Sequence, residues 1–395
     1  MPDAARMKET VQAAIDSVSE DLRALSLDIH SHPELNYEEE HAHRILTEYL
    51  EQQGFEVERG AYGMATAFSA RSGSGSPTIA LLSEYDALPG IGHACGHNLI
   101  AISGVAAALG LKEALADGEG TVVLLGSPAE EGGGGKIEMI DAGAFEGIDA
   151  AMMLHPSPGD GAWMSMNAIQ ALKVEFFGRN AHAAALPWQG LNALDALVHA
   201  YNGIALLRQQ MTPDSRVHGV ITSGGEKPNI IPDYTAADFY VRAKDDAILD
   251  DLKQRVLACF EAAAMATGCR VETEWVGHAY SNLTSNDVMA EAYVDNMGRL
   301  GKALPSKQQS LAFGGASTDM GNVSHVVPSI HPTFGIHTRE GNHTAGFTGA
   351  AATPEAHAET IVASKALAMT AVDLFTEPKL LTLAKDEFEA AHPAS

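Results

Sequence analysis

Thr78–Ala116 reads TIALLSEYDALPGIGHACGHNLIAISGVAAALGLKEALA. It opens with an apolar run of strand length, passes through a loop rich in glycine, proline and aspartate, and closes on an apolar stretch of helix length. Two further stretches, GTVVLLGSPAEEGGGG from Gly120 and IDAAMMLHPSPGDG from Ile148, repeat the strand-then-loop pattern. Strands alternating with helical patterns predict an α/β fold in which helices flank a mixed, largely parallel sheet. The same opening segment sets His93, Cys95 and His97 within five residues, in a chain with 3 cysteines among 395 residues.

Before this segment, apolar spacing of three and four predicts helices over about Met7–His30 and Tyr37–Gln53. From Ala171 the pattern changes to strand, helix, strand, strand, helix, which predicts a small α+β insert over 171–280. Residues 1–170 and 281–395 then form one discontinuous domain, closed by a helix over about Pro354–Phe375. Two domains suit the length, since single cores stop growing near roughly 250–300 residues.

Composition narrows the function. A hydrophobic fraction of 46% with 19% charged residues belongs to a globular chain. The net charge of −26 repels nucleic-acid phosphates and anionic membranes, so neither is expected as a partner. The start lacks the apolar core of a signal peptide, and no run approaches the roughly 18 apolar residues of a membrane span. An odd, small number of cysteines fits a reducing cytoplasm, with Cys259 and Cys269 as core residues.

Functional groups in open α/β sheets collect at the carboxyl ends of strands. Three such ends here carry Cys95 and His97, then Glu130 and Glu131, then His155. Cys95 and His97 cannot share a helix face at a spacing of two, but Gly96 permits a bend that turns both inward. The positive end of the following helix is expected to favour thiolate at Cys95. Thiolate, imidazole and carboxylate together suit zinc or a similar borderline ion. Of two adjacent carboxylates, one can bind metal while the other moves a proton. EEGGGGK lacks the ending of a phosphate loop, which argues against a nucleotide site.

SEYDALPGIGHACGHN, SPAEEGGGG, MMLHP, NAHAAALPWQGLNAL, PNIIPD and NHTAGF occur here in one order. That order resembles the aminoacylase and auxin-conjugate amidohydrolase family of two-metal peptidases. GHACGHNLIA and STDMGNVSHVVPSIHPTFGI resemble the branch of beta-alanyl-lysine dipeptidase and aminobenzoyl-glutamate hydrolase subunits. The resemblance implies a zinc-exopeptidase-like catalytic domain, an inserted lid that also makes a homodimer, and two divalent ions (zinc, or manganese or cobalt). It implies Cys95, His97, Glu131, His155 and His343 as metal ligands, with Cys95 bridging. Glu130 would be the general base, and Asp86 would orient a ligand. His182 would reach the active site of the partner subunit and steady the oxyanion there, while Asn229 and Arg242 would bind substrate.

Asn98 and Thr318–Asp319 depart from the auxin-conjugate pattern, which bears on the substrate more than on the reaction. His331 and His337 are ranked below His343 as ligands, and His93 is read as a packing residue. The expected activity is metal-dependent hydrolysis of the amide bond in small N-acyl amino acids or dipeptides. The competing readings are a silent small-molecule-binding protein on the same scaffold and a Cys95 nucleophile.

Overall fold

The computed structural model describes residues 3–116, 118–312 and 314–393. The chain forms two compact units. One takes in the chain up to Ser165, then Leu283–Gly314, then the chain from Thr318 onward; the other takes in Met166–Asn282 with Gly315–Ser317. Twelve strands are present among the described residues. The first six are β1 (Glu56–Arg59), β2 (Phe68–Ser74), β3 (Thr78–Glu84), β4 (Gly120–Ser127), β5 (Ala150–Met152) and β6 (His155–Ser157). The remainder are β7 (Ala168–Phe177), β8 (Arg216–Ser223), β9 (Tyr234–Ala243), β10 (Arg270–Tyr280), β11 (Ser329–Ile330) and β12 (Thr333–Gly335).

The larger unit is built on a six-stranded mixed sheet in the order β1-β2-β4-β3-β5-β11. β3 lies parallel to β4 in a register that sets Glu84 beside Ser127, and parallel to β5 with Leu81 beside Met152. The loops after β3, β4 and β5 therefore leave from one edge, as a crossover sheet requires. β2 runs antiparallel to both β1 and β4, so the parallel pattern stops on that side.

The helix His97–Ala114 follows the loop after β3 and is buried from His97 to Leu111. It has no polar face because other helices and the sheet cover it on every side. Gly104 permits the approach to β3. A methyl group there would lie 2.3 Å from Ser83 Oγ and 2.6 Å from the Leu82 carbonyl oxygen. The Leu82 carbonyl is strand backbone and cannot yield without disturbing the sheet.

The smaller unit is a four-stranded antiparallel sheet, β10-β7-β9-β8. Helices Ala193–Leu207 and Asp246–Thr267 pack on it through Leu197, Ile204, Leu252, Val256 and Phe260.

Several expected elements differ. Met7–His30 is two helices, Ala4–Ser17 and Ser19–Ser31, because Val18 leaves helical geometry at φ −112° and ψ 8°. The second helix starts later, at Glu40, after Tyr37 takes a left-handed turn at φ 64°. The smaller unit gains the strand β10, and a further helix, Pro378–Ala391, follows Pro354–Thr376. No helix among the described residues is long and apolar enough to cross a membrane.

Gly104→Ala is expected to lower unfolding free energy by about 1–3 kcal/mol through overpacking, read by urea denaturation. An unchanged midpoint would contradict close packing of this helix on β3.

Candidate metal centre

The candidate metal ligands of the larger unit converge where β3, β4 and β5 end. The loop after β3 turns at Gly96, whose φ of 78° is left-handed and which a methyl group would drive to 2.6 Å from Pro156 Cγ. This turn aims Cys95 back while His97 begins the buried helix. The loop after β4 has its own left-handed residue, Ala129 at φ 58°, whose N–H donates to Glu39 Oε1 at 2.9 Å. Glu39 thereby holds the segment that presents Glu130 and Glu131. His155 opens β6, just beyond β5. His343, at φ 66°, is held beside the first loop by its N–H on the Ala94 carbonyl at 2.8 Å.

Ligand atoms of Cys95, His97 and His155 lie within 4.8 Å of one another. The same separation holds for Cys95, Glu131 and His343, and for Glu84, His97 and Glu130. Cys95 Sγ is 3.5 Å from His155 Nε2, and Glu131 Oε1 is 3.2 Å from His343 Nε2. Cys95 therefore belongs to two of these groups, one completed by His97 and His155 and the other by Glu131 and His343.

Hydrogen bonds on the far side of each ring set which nitrogen faces inward. His97 Nδ1 donates to Asp86 Oδ1 at 2.9 Å, and His155 Nδ1 donates to the Pro156 carbonyl at 2.7 Å. Both rings thus turn Nε2 to the centre. Asp86 uses its other oxygen to accept the Glu131 N–H at 2.9 Å, so one carboxylate fixes two of the inward groups.

The electrostatics are those of a cation site. Burial opposes charge on His97, but Glu84 and Asp86 outweigh it and push the ring well above its usual range. Burial and the carboxylates of Glu84, Glu131 and Asp319 push the Glu130 carboxyl well above its usual range. His155 is driven down to about 4 by burial and by His97, so it stays a neutral lone-pair donor. His97 Nε2 and Glu84 Oε1 are buried with no hydrogen-bond partner among the described residues. Two such atoms 3.3 Å apart, one basic and one anionic, fit a metal ion, and so does the mixed sulfur, nitrogen and oxygen donor set.

The expected thiolate at Cys95 needs correction. Burial, reinforced by Glu131, pushes the thiol up and outweighs the helix end. A thiolate here requires a cation in contact with the sulfur.

The other candidates occupy distinct places. His331 is buried against His155, ring centroids 5.5 Å apart, with Nδ1 on the Met153 carbonyl. His337 pairs with Glu359 at the surface, and His93 is buried with Nε2 on the Ile29 carbonyl. In the smaller unit, His182 Nδ1 accepts N–H bonds from Ala184 and Ala185 at 3.3 and 3.2 Å, which leaves Nε2–H as a donor. The Asn229 carbonyl accepts the Ala183 N–H, and His182 pairs with Ile230, next to Asn229, in an isolated antiparallel bridge. Arg242 sits on β9 with Nη1 on Ser317 Oγ at 3.1 Å.

Sequence reasoning missed Glu84, Lys136 and the role of Asp319 beside the centre. Lys136 Nζ lies 2.6 Å from Glu84 Oε2 and 2.7 Å from Asp319 Oδ1, with all three side chains fully buried. The available signal was an acid closing the otherwise buried strand β3.

Residues 80–361 match the model of peptidase family M20/M25/M40. A human Xaa-Arg dipeptidase is 46% identical over 396 residues, covering 95% of this chain and 90% of that protein. A p-aminobenzoyl-glutamate hydrolase subunit from Escherichia coli is 31% identical, covering 91% of this chain and 90% of that one. A solved structure described as a dinuclear metal-binding M20 peptidase from Bacillus subtilis superposes with a TM-score of 0.72 at 21% identity, covering 91% of this chain and 99% of its own. With this match and the cage of donors at the strand ends, the chain belongs to peptidase family M20/M25/M40 and is a metal-dependent hydrolase of amide bonds.

Proposed function

We propose that this chain cleaves the amide bond of dipeptides, foremost those with a basic carboxy-terminal residue, and of related N-acyl amino acids. The observation carrying this reading is the convergence of Cys95 with His97 and His155 on one side and with Glu131 and the exposed His343 on the other, with Glu130 beside His97. The preference for a basic residue follows the 46% identity with the human Xaa-Arg dipeptidase over nearly the whole chain. The strongly acidic balance of the sequence also favours approach of a cationic substrate.

In this reading Cys95, His97, Glu131, His155 and His343 would hold two divalent ions, zinc foremost. Such ions would polarise the scissile carbonyl and acidify a water molecule. Glu130 takes a proton from the attacking water and delivers it to the leaving amine, a task suited to a carboxylate whose proton affinity its neighbours raise. His97 and His155 offer fixed lone pairs because Asp86 and Pro156 hold their outer nitrogens. His182 supplies an Nε2–H for developing negative charge, and Arg242 and Asn229 recognise the substrate. A reducing compartment suits a chain whose three cysteines are all free.

A homodimer accords with the smaller unit. Its edge strand β8 exposes Val220 and Ile221, and neighbouring β9 exposes Tyr240. Bare apolar edges of this kind are usually covered.

Glu130→Gln is expected to retain bound metal and fold while losing about 10²–10⁴-fold in kcat, measured on a dipeptide ending in arginine. Turnover within twofold of the parent would refute its role as base. Asp86→Asn is expected to weaken metal affinity about 10–100-fold, because the amide keeps one acceptor oxygen where Asp86 uses two, for the His97 ring and the Glu131 N–H; equal affinity would contradict that orienting role. Sedimentation velocity should show a dimer that Val220→Lys converts to monomer, and a monomeric parent chain would remove the dimer reading. Removal of metal by a chelator should abolish turnover and added zinc restore it. Activity that persisted in chelator but disappeared on alkylation would instead favour Cys95 as nucleophile.

A further inference from the structure

Beside the centre lies a buried charge cluster that the proposed reaction does not use. Glu84 closes β3 and is fully buried. Its two oxygens have different surroundings. Oε2 accepts from Lys136 Nζ at 2.6 Å. Oε1 accepts from nothing among the described residues and lies 3.3 Å from His97 Nε2, which is likewise without a hydrogen-bond partner.

Lys136 is held from two sides. Its ammonium donates to Asp319 Oδ1 at 2.7 Å, and its backbone N–H donates to Asp319 Oδ2 at 3.0 Å. Asp319 therefore locks both the helix start at Lys136 and the tip of its side chain. One ammonium is thus shared between two buried carboxylates through Glu84 Oε2 and Asp319 Oδ1, and the other oxygen of Glu84, Oε1, faces His97. The outer nitrogen of His97 is already committed to Asp86. Two buried polar atoms facing each other without a hydrogen bond are costly, and a cation lying against both Oε1 and Nε2 would satisfy both.

We propose that Glu84 is an additional donor to the cation on the His97 side of this centre, with the Lys136–Asp319 pair as the clamp that aims it. The assignment rests on the metal-centre reading above. It makes that side richer in anionic oxygen than Cys95, His97, Glu131, His155 and His343 alone would. Lys136 and Asp319 act through Glu84 and are positioning residues.

The test is calorimetric titration of metal-free, full-length protein with zinc alone, alongside Glu84→Gln and Lys136→Met, with circular dichroism to verify the fold. The parent should bind two equivalents. Glu84→Gln should weaken one of the two about 10–100-fold and leave the other unchanged, and Lys136→Met should weaken the same one. If Glu84→Gln does not fold, Glu84→Asp keeps the charge, draws the carboxylate back by one methylene and should weaken the same equivalent. Parent-like affinity for both equivalents in a folded Glu84→Gln or Glu84→Asp protein would overturn the assignment while leaving the centre intact. Parent protein that bound no zinc would overturn the centre and the assignment together.

Discussion

Five carboxylates, those of Glu84, Asp86, Glu130, Glu131 and Asp319, crowd the ends of β3 and β4, and Lys136 is the ammonium the structure sets against them. Like charges about 4 Å apart repel by roughly 4 kcal/mol even at an effective dielectric of 20. One lysine cannot balance such a cluster in a buried setting. The same crowding pushes both the His97 ring and the Glu130 carboxyl above their usual ranges. Divalent cations relieve that crowding, which is why the electrostatics and the donor geometry point to the same chemistry.

The fold creates this crowding through register. Because β3 and β4 run parallel with Glu84 level with Ser127, their loops start at the same height. Left-handed turns at Gly96 and Ala129 then fold both loops inward. The helix starting at His97 is sunk so deeply that its first residue is part of the site and its body is part of the core. Gly104 makes this possible, so a packing residue two turns along the helix bears on where His97 sits.

Alternation of apolar runs with helical spacing made the α/β class legible, because burial on both faces of a sheet leaves a mark in hydropathy. The break at Val18 left none, since apolar spacing continues across it. The helix after Thr376 was invisible because Glu377–Pro378 reads as a terminus, although proline is well suited to a first helical turn. At the site, types and order of residues suggested a cage, yet charge states depend on distances that a sequence does not contain. The Cys95 thiol shows this: the adjacent helix start argues for thiolate, and burial beside Glu131 prevails. Lys136 was read only as part of EEGGGGK, a stretch without the ending of a phosphate loop. Its partner Asp319 lies 183 residues away, so nothing local could reveal the clamp.

The most direct measurement is a crystal structure of zinc-loaded protein with anomalous data collected on either side of the zinc edge. Two peaks should appear, both in contact with Cys95 Sγ, one reached by His97 Nε2 and the other by His343. Well-ordered protein with no anomalous peak among Cys95, His97, Glu131, His155 and His343, or with zinc only at the surface, would contradict a buried cation centre.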